Sequence, residues 1–239
     1  MSLYRDQGVV LRTVKLGETD RIVTIFTQGN GKIRAVAKGV RRPGSRFGAR
    51  LEPTSNVALQ CYQGRELDVV TQVETIDANR ALREHYGCLT HSVSMLEAVD
   101  QISPDRERNP AVYRMLVGAL KTLADQPSPL VAPAFFWKLL SLEGFHPHLD
   151  GCVRCSTVTG PFPAFDLGEG GLLCADCSKL GGVRVREATV DVLRLMLGGE
   201  LRRVLAEVLS GEIVAEVERL ALGSMEHHFE RRLRSAALL

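Results

Sequence analysis

The stretch Arg21-Ile22-Val23-Thr24-Ile25-Phe26-Thr27-Gln28-Gly29-Asn30-Gly31-Lys32-Ile33-Arg34-Ala35-Val36-Ala37-Lys38 decides the fold of the first part of this chain. Its two halves alternate with period two, which predicts strands with one buried face. Lys32 and Arg34 fall on one face, and Ile33, Ala35 and Ala37 on the other. Asn30-Gly31 between them tolerates the positive φ angles of a tight reversal, so the pair reads as a hairpin. Upstream, Gln7–Val14 is rich in β-branched residues and is followed by the turn Gly17-Glu18-Thr19-Asp20. Downstream, strands are expected at 55–62 and 66–75, joined at Gln63-Gly64-Arg65. Five short strands within about 75 residues suggest a small, closed or nearly closed barrel over residues 1–77.

Between the third and fourth strands lies Gly39-Val40-Arg41-Arg42-Pro43-Gly44-Ser45-Arg46-Phe47-Gly48-Ala49-Arg50. Gly and Pro oppose regular structure here, leaving a basic loop around one aromatic. Residues 1–50 hold eleven basic and three acidic side chains, a net charge of +8, so the other 189 residues sum to −6 within a whole-chain charge of +2. A charge run can be a solvated face, but segregation of one sign at this scale marks a site for a polyanion. Lys32, Arg34 and Lys38 are expected to project from the third strand, and Arg41, Arg42, Arg46 and Arg50 to reach phosphates from the loop. Phe47 is a candidate for stacking on a base, its alternative being a loop anchor packed on the barrel; Phe26 and Tyr62 read as core. With few aromatics, binding should rest on phosphates and be sequence-tolerant and salt-sensitive.

After Asp77-Ala78-Asn79 the period becomes helical. One stripe runs from Leu82 to Val99 and stops before Pro104, a second helix starts at Pro110, and a third begins near Pro133 and ends at Gly144. Residues 78–144 thus read as a helical domain, 145–182 as an irregular Gly- and Pro-rich cysteine module, and 183–239 as helices packing back on the helical domain. The fold class is α+β.

Cys152-Val153-Arg154-Cys155 and Cys174-Ala175-Asp176-Cys177 are two C-x2-C pairs with eighteen residues between them. That spacing lets two turns each aim two thiolates at one ion, the pattern of a tetrahedral zinc site. Four thiolates close the coordination sphere, so the expected cofactor is one structural Zn2+; a redox dithiol lacks its βαβ context, and His146 or His148 could replace a cysteine only needlessly. Cys61 and Cys88 stand apart and read as buried thiols. No P-loop, H-E-x-x-H, G-x-S-x-G or paired carboxylates appear, and His227-His228 read as part of a solvated helix face, so no catalytic residue is expected and the chain reads as a non-enzyme. The N-terminus lacks the apolar core of a signal peptide and no stretch approaches the ~18 apolar residues of a membrane span, making the expected compartment cytoplasmic.

The sequence resembles the bacterial RecO family of recombination mediators. The resemblance rests on Gly8-Val9-Val10-Leu11, Gly17-Glu18-Thr19-Asp20-Arg21, Gly31-Lys32, Ala37-Lys38-Gly39-Val40-Arg41-Arg42, Phe145-His146-Pro147 and the cysteine insert in a helical half. It implies an N-terminal OB-fold, a helical domain and a zinc module. It further implies binding of single- and double-stranded DNA, annealing of complementary strands, nucleoid association, and work with RecR and single-strand-binding protein to load RecA. Some members of that family lack the cysteines, so the zinc expectation comes from this sequence. The alternative is a zinc-containing adaptor that docks repair partners and binds DNA weakly; a zinc-dependent nuclease or ligase, which would turn over DNA, is a third class.

Overall fold

A computed structural model describes residues 2–45 and 47–235. The chain divides into two compact units, one extending to Pro127 and the other beginning at Ser128. By contact, the first helices therefore group with the barrel, whereas the sequence reading set residues 78–144 apart as one helical segment.

In the first unit, β1 (Leu3–Leu16), β2 (Asp20–Thr27), β3 (Gly31–Ala37), β4 (Asn56–Tyr62) and β5 (Asp68–Asp77) form a closed barrel in the order β1-β2-β3-β5-β4. This is the expected five-stranded OB-type barrel, with β3 and β5 parallel and the other neighbours antiparallel. Val10, Val23, Ile25, Ile33, Ala35, Val57, Leu59 and Cys61 fill its interior, as the period-two pattern requires. The β2–β3 reversal is the three-residue loop 28–30, after which Gly31 opens β3 at φ +65, and Asp6 accepts hydrogen bonds from the Gly29 N–H and the Asn30 side-chain amide.

The outer face of β1 and β2 is also covered. Val9, Thr24 and Phe26 are buried although they point away from the interior, because α2 (Tyr86–Ile102) and α3 (Pro110–Asp125) pack there. Pro110 sits in the first turn of α3, and the Asn109 side chain accepts from the Val112 N–H to cap it. The helix expected from about Leu82 is interrupted. A short α1 (Arg80–Glu84) ends at His85, whose extended backbone restarts the chain as α2.

The segment Ser103–Asn109 lies along the start of β3, where β5 has not yet begun. Asp105 bridges Lys32 in parallel and the Arg106 N–H donates to the Lys32 carbonyl at 2.8 Å. A Cβ on Gly31 would lie 2.0 Å from the Glu107 carbonyl oxygen, so this strap requires glycine there on two counts. Arg106, at φ +61, then reaches the fully buried Asp68 at 2.6 Å.

In the second unit, α4 (Val131–Leu142) starts two residues before the expected Pro133 and is buried on nearly every side. It packs against α5 (Glu187–Leu197) and α7 (Gly211–Phe229), with the short α6 (Leu201–Ala206) between those two in sequence. The cysteine segment is more regular than its composition predicts. β6 (His148–Cys152), β7 (Ala164–Asp166), β8 (Gly171–Leu173) and β9 (Val183–Arg184) form a sheet in the order β6-β8-β7-β9. Phe165 from this sheet meets Trp137 of α4 edge-on at 5.8 Å. Glu216 of α7 is buried and accepts from the Arg186 amide and guanidinium and from the Thr189 hydroxyl, pinning the start of α5 to α7. Among the described residues, no helix is long and apolar enough to cross a membrane.

Candidate nucleic-acid interface and metal centre

The β1–β2 turn and the loop after β3 are tied together at one end of the barrel. Asp20 accepts from the Gly39 N–H at 2.8 Å and from the Thr19 hydroxyl at 2.8 Å. The Arg41 N–H donates to the Thr19 carbonyl, and its guanidinium donates to the Glu18 carbonyl at 2.9 Å. Gly17 and Gly39 take φ values of +58 and +66, which lets the two loops approach. The Gly39 amide, then the Thr19 hydroxyl and the positive charges of Arg42 and Lys38, hold the Asp20 carboxyl below its usual range.

This knot brings Lys38, Arg41 and Arg42 together, all exposed. Arg34 is exposed on the same outer side of β3, four residues before Lys38. The other expected contacts are placed differently. Lys32 is only 13% exposed: its ammonium donates to the Asp100 carbonyl at 2.6 Å and lies 3.5 Å from the carboxylates of Asp100 and Asp105. It does not project freely with Arg34 and Lys38. Phe47 is 8% exposed and belongs to the barrel core, so its ring is not available for stacking and the loop-anchor alternative describes it. Arg50 is exposed but donates to the Val73 carbonyl of β5. Arg46 lies outside the described residues. Two further cations are engaged by carboxylates, Arg12 by Asp100 at 2.5 Å and Arg21 by Glu52 at 2.8 Å. Tyr62, read as core, is 44% exposed.

The four cysteines converge. The sulfurs of Cys152, Cys155, Cys174 and Cys177 all lie within 4.8 Å of one another, and Cys155 and Cys174 are 3.7 Å apart. A tetrahedron with metal–sulfur bonds of ~2.3 Å has edges of about 3.8 Å, so the cage is close to the size a tetrahedral ion needs. Both C-x2-C turns close the same way, with the Ser156 N–H donating to the Cys152 carbonyl and the Ser178 N–H to the Cys174 carbonyl, each at 2.9 Å. Burial works against ionising Cys152, but backbone N–H groups of Cys174, Cys155 and Arg154 outweigh it and bring the thiol down to about 6. Arg154, between the first two ligands, donates to Asp166 at 2.5 Å, Glu169 at 2.8 Å and the Cys177 carbonyl at 3.3 Å. That links the first C-x2-C turn to the β7–β8 hairpin and to the second turn. The residues present fit a closed, four-thiolate metal site. His146 takes no part in it: its ring bonds the Ser141 hydroxyl at 2.9 Å.

Residues 1–79 match the family model described as recombination protein O, N terminal, and residues 83–237 match the one described as recombination protein O, C terminal. A protein of Cutibacterium acnes named DNA repair protein RecO is 44% identical over 247 aligned residues, covering 100% of this chain and 99% of that protein.

Proposed function

The chain belongs to the RecO family, and from that premise we propose that it is a DNA repair and recombination protein that binds single- and double-stranded DNA and anneals complementary strands. The observation that carries the reading is the knot of loops 17–20 and 38–42, which gathers Lys38, Arg41 and Arg42 in the open at one end of an OB-type barrel. Annealing requires no bond-making machinery. Cations that screen the repulsion between two phosphate chains bring the strands within pairing distance, and base pairing does the rest. On this reading the protein is not an enzyme. It acts with RecR, meets single-strand-binding protein on coated DNA and helps RecA to load there, at the nucleoid in the cytoplasm. The ion held by Cys152, Cys155, Cys174 and Cys177 is zinc, which a four-sulfur tetrahedral cage suits. Its contribution is structural: it clamps two turns of a small sheet that has little core of its own.

The test is the salt dependence of single-strand binding by the full chain. Reversing both Arg41 and Arg42 to Glu should lower affinity and flatten the slope by at least about 1.4 units, at ~0.7 per lost phosphate contact. An unchanged slope removes the knot from the DNA path. Metal analysis should find one zinc per chain, and Cys152→Ser should abolish it; full zinc content in that variant would refute the four-sulfur site.

One observation favours a second reading, an adaptor with weak DNA affinity. Arg12, Arg21 and Lys32 are spent on carboxylates, so the first fifty residues offer fewer open cations than their composition suggests. Association with repair partners without annealing of complementary oligonucleotides would decide for it.

A further inference from the structure

Cross-strand register sets six apolar side chains in one line on the outside of the barrel. The pairs run Leu3 to Tyr62, Tyr62 to Val69, Val69 to Val36, Val36 to Ile22 and Ile22 to Val14. The line therefore crosses every strand once and returns to the far end of β1. Each member faces outward because its chain neighbours, among them Tyr4, Cys61, Val70, Ala35, Ala37 and Val23, face the interior. The solvent-facing side of a small, mostly antiparallel barrel is ordinarily polar, and here six consecutive positions are not. Leu3, Val14 and Tyr62 are 49, 49 and 44% exposed, and the other three are half-buried.

The shape of the line constrains its occupant. With strands ~4.8 Å apart, it is about 24 Å long and one side chain wide. It winds around the barrel, so a folded partner approaching from one side meets only part of it. A flexible chain can follow all of it. Cations run alongside: Arg34 and Lys38 flank Val36 on its own face, and the Arg41–Arg42 knot stands next to the β2 end that carries Ile22. Apolar surface bordered by positive charge complements a polymer with flat apolar units on an anionic backbone.

We propose that this line is the path of the bases of single-stranded nucleic acid, with Tyr62 as its stacking platform and Lys38, Arg41 and Arg42 holding the phosphates beside it. The assignment deepens the nucleic-acid reading above and rests on it. It gives Tyr62 the role that the buried Phe47 cannot fill. It also gives the barrel a way to prefer unpaired strands, since a duplex hides the faces of its bases.

The experiment compares binding of an oligothymidine and of an abasic strand of equal length and charge to the full-length, zinc-loaded protein. The wild type should bind oligothymidine more tightly. Tyr62→Ala should weaken oligothymidine binding roughly 5-fold or more, leave the abasic strand unaffected and leave the salt slope unaltered, and Tyr62→Phe should restore the affinity. Val14→Asn, at the other end of the line, is the second variant should Tyr62→Ala fold poorly, and it should show the same selectivity. Equal wild-type affinity for the two strands overturns the proposal, as does an equal loss for both in the variants, while salt-sensitive binding would still leave the nucleic-acid reading standing. Loss of a protein partner with unchanged DNA binding overturns it in favour of a docking surface. Failure of the wild type to bind either strand takes down both readings.

Discussion

Replacing Arg106 with alanine tests whether the strap from Ser103 to Asn109 holds the barrel closed where β5 does not reach β3. The Asp68 carboxylate is fully buried. It accepts from the Arg106 guanidinium at 2.6 Å, the Tyr4 hydroxyl at 2.5 Å and the Gly64 N–H at 2.9 Å. Burial and the Asp68 hydrogen bond push the Tyr4 hydroxyl far above its usual range, so it remains a donor at any ordinary pH. Alanine at 106 thus removes the cation and leaves the charge with two neutral donors. Breaking a fully buried pair costs about 3–5 kcal/mol, but the Arg106 side chain is 38% exposed, so water can take part of its place. A loss of about 2 kcal/mol is expected, in the range for hydrogen bonds to charged groups. Arg106 also sits at φ +61, which costs a side chain about 1 kcal/mol and glycine almost nothing. Arg106→Gly should therefore be less damaging than Arg106→Ala, though it loses the same ion pair. Hydrogen exchange read on peptides of β3 and β5 is the assay. About 2 kcal/mol corresponds to roughly 30-fold faster exchange in the alanine variant, with the glycine variant in between. Exchange within about twofold of wild type, or a glycine variant worse than alanine, would show that the reasoning is wrong.

Lys32→Ala and Phe47→Ala should separate stability from DNA contact. The first is expected to cost about 1–3 kcal/mol and the second about 3 kcal/mol, and neither should move the salt slope of DNA binding; a flattened slope in the lysine variant would return that residue to the interface. His91 lies on α2 with its Nδ1 buried and unpartnered, and burial lowers its pKa. The unfolded chain then takes up a proton near pH 6.5 that the native state resists, so stability should fall as pH drops through that value. His91→Gln should flatten the decline in Tm between pH 7 and pH 5, and an unchanged pH profile would rule out His91 as its source.

Period-two alternation located β2 and β3, because in a small closed barrel one face of each strand must be apolar, while β-branched residues located β1 and the turn at Gln63-Gly64-Arg65 pointed to β4 and β5. It could not say what covers the other face. Phe26 and Val9 are buried under α2 and α3, contacts that join residues some 70 to 100 positions apart. For the same reason the fate of Lys32 was not legible: its partners Asp100 and Asp105 belong to a strap whose position depends on the helices around it. Phe47 misled because its neighbours in sequence are charged or glycine, while its neighbours in space are the barrel core. Tyr62 misled in the opposite direction, since a strand position shows alternation but not which parity faces out. The four-cysteine cluster was readable because each C-x2-C pair is local, and only the closure of the two turns on each other needed the fold.

Asp20 poses a question of sign that neither composition nor proximity answers. It is a negative charge set among the cations proposed to hold phosphate, close enough to Lys38 and Arg42 for their fields to favour its ionised form. As a counter-ion it would weaken phosphate binding. As the acceptor for the Gly39 N–H and the Thr19 hydroxyl, it brings the two loops together and makes the cluster possible. Acid cannot separate these roles, because protonating the carboxyl removes the charge and weakens the hydrogen-bond acceptor in one step. Substitution can. Asp20→Asn retains an oxygen that accepts from both donors and removes the charge, so DNA affinity should rise a few-fold. Asp20→Ala removes the same charge together with the acceptor, so the loops part and affinity should fall below that of the asparagine variant. Equal affinities for the two variants in a filter-binding titration would mean that the knot does not organise the cations, and the interface would have to be sought elsewhere on the barrel.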